Sequence, residues 1–196
     1  MYIKLYHGSP SLFKTPYTYM SILGAPADGV GFHCANCEED VRDYWLDYPI
    51  SYLYEYIFSP RNMLPYKMDR SLTSEVVYNV KRLGFEMRPS EFSQWHWSTQ
   101  KLGEFIDEMV MGGYNAPTVL YNLAERAEDP SIVCRAASEM GFSHLVGELP
   151  DERGGHFHFI IFDASDLTVS KIIQKQVEHN GLELDITTSV MQNDML

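Results

Sequence analysis

Between Ser71 and Met140 apolar residues recur at helical spacing, whereas both flanks alternate with a period of two. That change of period constrains the fold most, because a segment patterned for a helix does not bury its apolar side as a strand. Leu72, Val76, Val80 and Leu83 share one helix face. Phe92 to Met109, Val119 to Leu123 and Ile132 to Met140 continue the pattern, and breakers at Pro89, Gly112-Gly113, Pro117 and Pro130 divide it into about four helices. On the N-terminal side, Tyr2, Lys4 and Tyr6 alternate with Ile3, Leu5 and His7, a strand that His7-Gly8-Ser9-Pro10 stops. Gly29 to Cys34 is a second short strand. Asn36 is then the expected cap of a helix with Glu38, Glu39 and Asp40 in its first turn, and Tyr52 to Phe58 is a third strand. Strands return at Ser143 to Leu149, Phe157 to Phe162 and Leu167 to Ile173, with an edge strand and a frayed tail expected beyond Glu178. Short strands around a helical middle read as α+β, one domain over residues 1–196 with a mostly helical insertion at about 71–140.

Charge narrows the partners. With 15 Lys+Arg against 27 Asp+Glu the net charge is −12, and no window is basic enough to line a phosphate backbone, which argues against a nucleic-acid partner. The run from Thr15 to Val30 carries only Asp28, but its Pro, Tyr and Gly content is not that of a membrane span. The first six residues lack the basic head and apolar core of a signal peptide, so the expected compartment is the cytoplasm. Cys34, Cys37 and Cys134 are too few and too odd for a disulfide framework. Cys34-x-x-Cys37 has half the spacing of a zinc knuckle, with His33 and the distant Cys134 as further donors. Buried free thiols are the simpler reading, and no metal is expected.

Phosphate-cradling, dinucleotide-binding and zinc-helix motifs are absent. What remains is a pair of strand ends, Tyr6-His7-Gly8-Ser9 and Gly29-x-Gly31-Phe32-His33, each setting polar side chains beside glycines. Bare backbone there leaves N–H and C=O groups open to a ligand such as a carboxamide.

Taken with Tyr44 on the following helix and Phe159-Ile-Ile-Phe-Asp163 near the end, these strand ends resemble the ADP-ribosyltransferase fold, which uses NAD. The resemblance covers the two ends of the chain, about half of it, and implies a split β-sheet core with the helical middle as an insertion. It also implies that His7, Gly8 and Ser9 hold the nicotinamide carboxamide and ribose, that Gly31, Phe32 and His33 line the site, and that Tyr44 stacks on the nicotinamide ring. Two positions depart from the family: His33 stands for its second-strand Tyr, and His158 for its catalytic Glu. A His at the first of these also occurs in the RNA 2′-phosphotransferase branch, which carries arginines and acts on tRNA, a substrate to which this acidic chain offers little. Phage-encoded anti-CRISPR ADP-ribosyltransferases look more similar. Their Gly-Tyr-x-x-Val-Glu-x-x-Asp-Glu-x-Gly segment is matched here by Gly141 to Gly154, which assigns the catalytic carboxylate to Asp151, with Glu152 adjacent and His158 on the strand below.

The resemblance thus implies a mono-ADP-ribosyltransferase with NAD as ADP-ribose donor and a host protein as acceptor, acting in the host cytoplasm. Two alternatives accompany it: the same fold without chemistry, acting by NAD or partner binding, and an NAD glycohydrolase. Read without the resemblance, Asp151 to Gly155 is a solvated hairpin turn, and Tyr44 is a core contact of an aromatic helix.

Overall fold

A computed structural model describes residues 2–13, 16, 30–41, 51–86, 104, 108, 111–112, 115–147, 155–175 and, for the backbone, 50, 148, 176–177 and 183–188. Among the described residues eight strands form one sheet: β1 (Ile3–Ser9), β2 (Phe32–Ala35), β3 (Ile50–Phe58), β4 (Asn62–Met63), β5 (Phe142–Glu148), β6 (Phe157–Ile161), β7 (Leu167–Val177) and β8 (Glu183–Thr188). Their spatial order is β4-β5-β6-β2-β1-β3-β7-β8, antiparallel throughout except for β4 beside β5. Three helices are bounded among the described residues, α1 (Arg70–Arg82), α2 (Ala116–Arg126) and α3 (Ser131–Glu139). The architecture is therefore α+β. Among the described residues no helix is long and apolar enough to cross a membrane.

Local chemistry accounts for the helix ends. The Asp69 side chain caps α1 by accepting from the Leu72 amide at 2.8 Å, and Asn115 caps α2 through the Thr118 amide at 3.0 Å. Past α1, Gly84 turns the chain at φ +89°, and Gly141 does the same past α3 at φ +90°. The buried positions of α1 are Thr73, Val76, Val77 and Val80, one stripe at i, i+3, i+4 and i+7.

The three helices pack through Val76, Leu120, Leu123, Val133 and Ala136 onto Leu64, Leu145 and Ile160, on one side of the β4-β5-β6 half of the sheet. These three helices are thus a structural layer of the core. On the opposite sheet face Leu5, Phe32, Cys34, Tyr54, Tyr56, Phe58, Phe159 and Ile161 form a second, largely aromatic core. Burying several rings of this size is worth about 1.5–3 kcal/mol each, which anchors β3 at the centre of its half.

One local reading changes. Asn36 caps no α-helix: its Oδ1 accepts from the Phe157 amide at 2.8 Å, its Nδ2 donates to the Gly155 carbonyl at 2.9 Å, and a 3-10 turn at Glu39–Val41 follows. A tertiary partner outcompetes the local cap. After Pro60 the chain rejoins the sheet: Asn62–Met63 pair in parallel with β5, and the Leu64 amide donates to the His144 carbonyl at 2.8 Å.

Candidate functional site

The sheet has a seam. β1 runs beside β3 over seven register pairs, from Ile3↔Phe58 to Ser9↔Tyr52, but meets β2 in the single pair Tyr6↔Ala35. Beyond that pair a side chain replaces the ladder: the His7 imidazole bonds the His33 carbonyl through Nδ1 at 2.7 Å. A carbonyl only accepts, so Nδ1 carries the proton and a neutral His7 presents Nε2 as an acceptor. Burial, only partly opposed by that bond, pushes the His7 pKa down to about 4, so the ring is neutral at pH 7.

Strand alternation puts Leu5, His7 and Ser9 on the aromatic face. The His7 ring lies 4.4 Å from the Phe32 ring, 5.7 Å from Phe13 and 6.2 Å from Tyr54 between centroids. Phe13 stacks on Tyr54 at 4.3 Å, and the Tyr54 hydroxyl accepts from the Phe13 amide at 2.7 Å. These contacts fold the segment after β1 back over His7. Ser9 makes the turn: its hydroxyl accepts from the Ser11 amide at 3.1 Å and donates to the Ser11 carbonyl at 2.9 Å. Gly8 is buried in register with Leu53.

On the other face, Ala35↔His158 and His33↔Ile160 set His33 and His158 side by side. His33 Nδ1 and His158 Nε2 share a hydrogen bond of 2.9 Å, with ring centroids 4.8 Å apart. Burial first, then the neighbouring imidazoles of His158 and His7, lower the His33 pKa to about 3. This bonded pair therefore leaves His33 uncharged at pH 7.

The structure thus groups the sequence-predicted residues in two sets across the seam, His7, Ser9 and Phe32 on one face and His33 and His158 on the other. Gly31 gains a packing reason: at φ +151° a Cβ there would stand 2.7 Å from both Ile160 Cγ2 and the Ile161 carbonyl oxygen. Close approach of β6, rather than of a ligand, already demands glycine. Tyr44, Asp151 and Glu152 lie outside the described residues.

The zinc-knuckle alternative fails on burial. Cys34 sits in the aromatic core, and Cys134 sits in the helical one with its thiol donating to the Val30 carbonyl at 3.5 Å. Burial raises both thiol pKa values, that of Cys134 to about 12.

Phe13 and Tyr54 were not singled out as site-lining residues in the sequence. The usable signal was the alternation of Tyr52, Tyr54, Tyr56 and Phe58, which gives β3 one aromatic face. The chain matches no protein-family model, no curated protein and no solved structure.

Proposed function

We propose that this chain is an NAD-dependent mono-ADP-ribosyltransferase of the phage-encoded type that modifies a host protein. One observation carries the reading: His7-Gly8-Ser9 and Gly31-Phe32-His33, far apart in sequence, end side by side at the seam where β1 and β2 part. The sheet opens there because a side chain, not backbone, bridges the strands. The neutral His7 offers its Nε2 lone pair to a hydroxyl donor such as a ribose, while the Phe32 and Tyr54 rings, buried in the aromatic core, fix the orientation of its imidazole.

Cleaving the nicotinamide–ribose bond develops an oxocarbenium-like positive charge. One anion 4 Å away at an effective dielectric near 20 stabilises it by about 4 kcal/mol, roughly three decades of rate. The neutral His33 paired with His158 does not supply that charge. The reading therefore assigns it to Asp151 or Glu152, among the residues joining β5 to β6. The acceptor side chain is the nucleophile, and ADP-ribose passes to it as nicotinamide leaves.

The same histidine pair favours a second reading, a binding module of this fold without chemistry, because the two imidazoles bond each other where the resembled family carries Tyr and Glu. Calorimetric titration with NAD, followed by a nicotinamide-release assay with and without host lysate, separates the readings. Release that needs lysate supports the transferase. Binding without release under either condition supports the module, and release without an acceptor would mean an NAD glycohydrolase.

A further inference from the structure

We propose that Cys37, Asp40 and His156 form a divalent transition-metal site, of zinc-type chemistry, that ties the turn after β2 to the start of β6. One ligand atom from each residue, a sulfur, a carboxylate oxygen and an imidazole nitrogen, lies within 4.8 Å of the other two. A tetrahedral zinc ion with bonds of 2.0–2.3 Å separates its ligands by roughly 3.3–3.8 Å, so small side-chain rotations bring the three onto one ion. Thiolate, imidazole and carboxylate together are a donor set for zinc rather than for magnesium or calcium, which take oxygen ligands.

Two further observations point to a ligand. Asp40 is largely buried, with its side chain 13% exposed. Its Oδ1 meets His156 Nδ1 at 2.9 Å, yet its Oδ2 is shut off from solvent without a hydrogen-bond partner among the described residues. A buried carboxylate oxygen left unbonded costs free energy, and a cation removes that cost. The backbone carrying two of the ligands is also held in place. The Asn36 amide donates to the Phe157 carbonyl at 3.2 Å, the Asn36 side chain bonds Gly155 and Phe157, and the buried Lys175 ammonium reaches Glu38 at 3.1 Å. Cys37 and Asp40 are thus presented to His156 by a turn tethered from β6 and β7, the kind of preorganisation a metal site needs. Cys34 and Cys134 take no part, since each is enclosed in an apolar core. Three protein ligands leave a fourth position open to water or another donor.

Zinc titration of the full chain against a chromophoric chelator tests this, with cobalt(II) as the spectroscopic probe. The expected result is one zinc per chain, and with cobalt a thiolate charge-transfer band in the near ultraviolet. Cys37→Ser should abolish that band and, like His156→Ala, weaken zinc binding about a hundredfold or more. Cys34→Ala and Cys134→Ala should keep both the band and the affinity. Far-ultraviolet circular dichroism of the metal-free variants checks that they fold, and protection of Cys37 from alkylation by zinc in the wild-type chain gives a readout independent of any variant. Absence of zinc binding by the wild type, a charge-transfer band that survives Cys37→Ser, or alkylation of Cys37 at the same rate with and without zinc would each overturn the site.

Discussion

Acidification from pH 6.5 to 4 should remove stability through two buried histidines, His33 and His7, and the His7 share can be separated. In the fold the His7 pKa falls to about 4, because the ring is buried against Phe32 and bonded to the His33 carbonyl, while in the unfolded chain it titrates at its ordinary value of 6.5. Between those values the unfolded chain binds a proton that the folded chain does not, so stability falls with pH across the window and levels off below it. The full interval from 6.5 to about 4 corresponds to about 3 kcal/mol, a sizeable part of the roughly 5–15 kcal/mol that hold a domain together. Urea unfolding at pH 7, 6 and 5 of the wild type and of His7→Gln reads the effect, because the His33 shift, whose largest cause is its own burial, stays in both. The glutamine amide can still donate to the His33 carbonyl, so the variant should lose only about 1 kcal/mol at pH 7. Its stability should then fall less steeply than that of the wild type, by about 1.4 kcal/mol per pH unit near pH 5.5. Parallel pH profiles would show that His7 titrates alike in both states and would refute its burial as a neutral bridge.

Gly31→Ala should destabilise by about 2–4 kcal/mol in the same assay, since its methyl group meets Ile160 and the immobile Ile161 carbonyl, whereas Gly147→Ala, with nothing within 4 Å of its Cβ, should stay within about 0.5 kcal/mol. A similar cost at both glycines would contradict the close β2–β6 approach. Arg61→Ala removes ion pairs of 2.7 Å to Asp166 and 3.5 Å to Asp163, partly exposed, and should cost about 0.5–1 kcal/mol at pH 7. Asp163 is held below its ordinary pKa of 3.8 by the Ser165 hydroxyl first, with Ser138 and Arg61 contributing. Its part is therefore present above pH 3.8 and disappears as the pH falls through the folded value; an Arg61→Ala cost that grows on acidification would contradict the pairing.

The regular elements were legible where their own period carries them. Leu72, Val76 and Val80 set the face of α1, and Tyr52 to Phe58 set β3 within two residues of its observed start. What sequence does not carry is register between distant strands. His33 and His158 are 125 positions apart, and that they bond each other follows only from the Ala35↔His158 pairing. The same register, through Tyr6↔Ala35, turns His33 to the face opposite His7, although both sit beside glycines and read alike in sequence. Asn36 carried a sound local signal for a helix cap and was overruled by an amide 121 positions away. β4, two exposed residues long, has no pattern to read. Asp40 and His156, 116 positions apart, likewise had no local signature.

In the proposed function, NAD-dependent transfer is driven by a carboxylate between β5 and β6. Incubation with biotinylated NAD and host lysate, comparing the wild type with Asp151→Ala, Glu152→Ala and the double variant, tests it most directly. A labelled host protein is expected with the wild type, loss of label with Asp151→Ala, a smaller loss with Glu152→Ala, and NAD affinity unchanged by calorimetry in all of them, because the proposed ground-state binding rests on the strand ends at the seam. Full labelling by the double variant would contradict it.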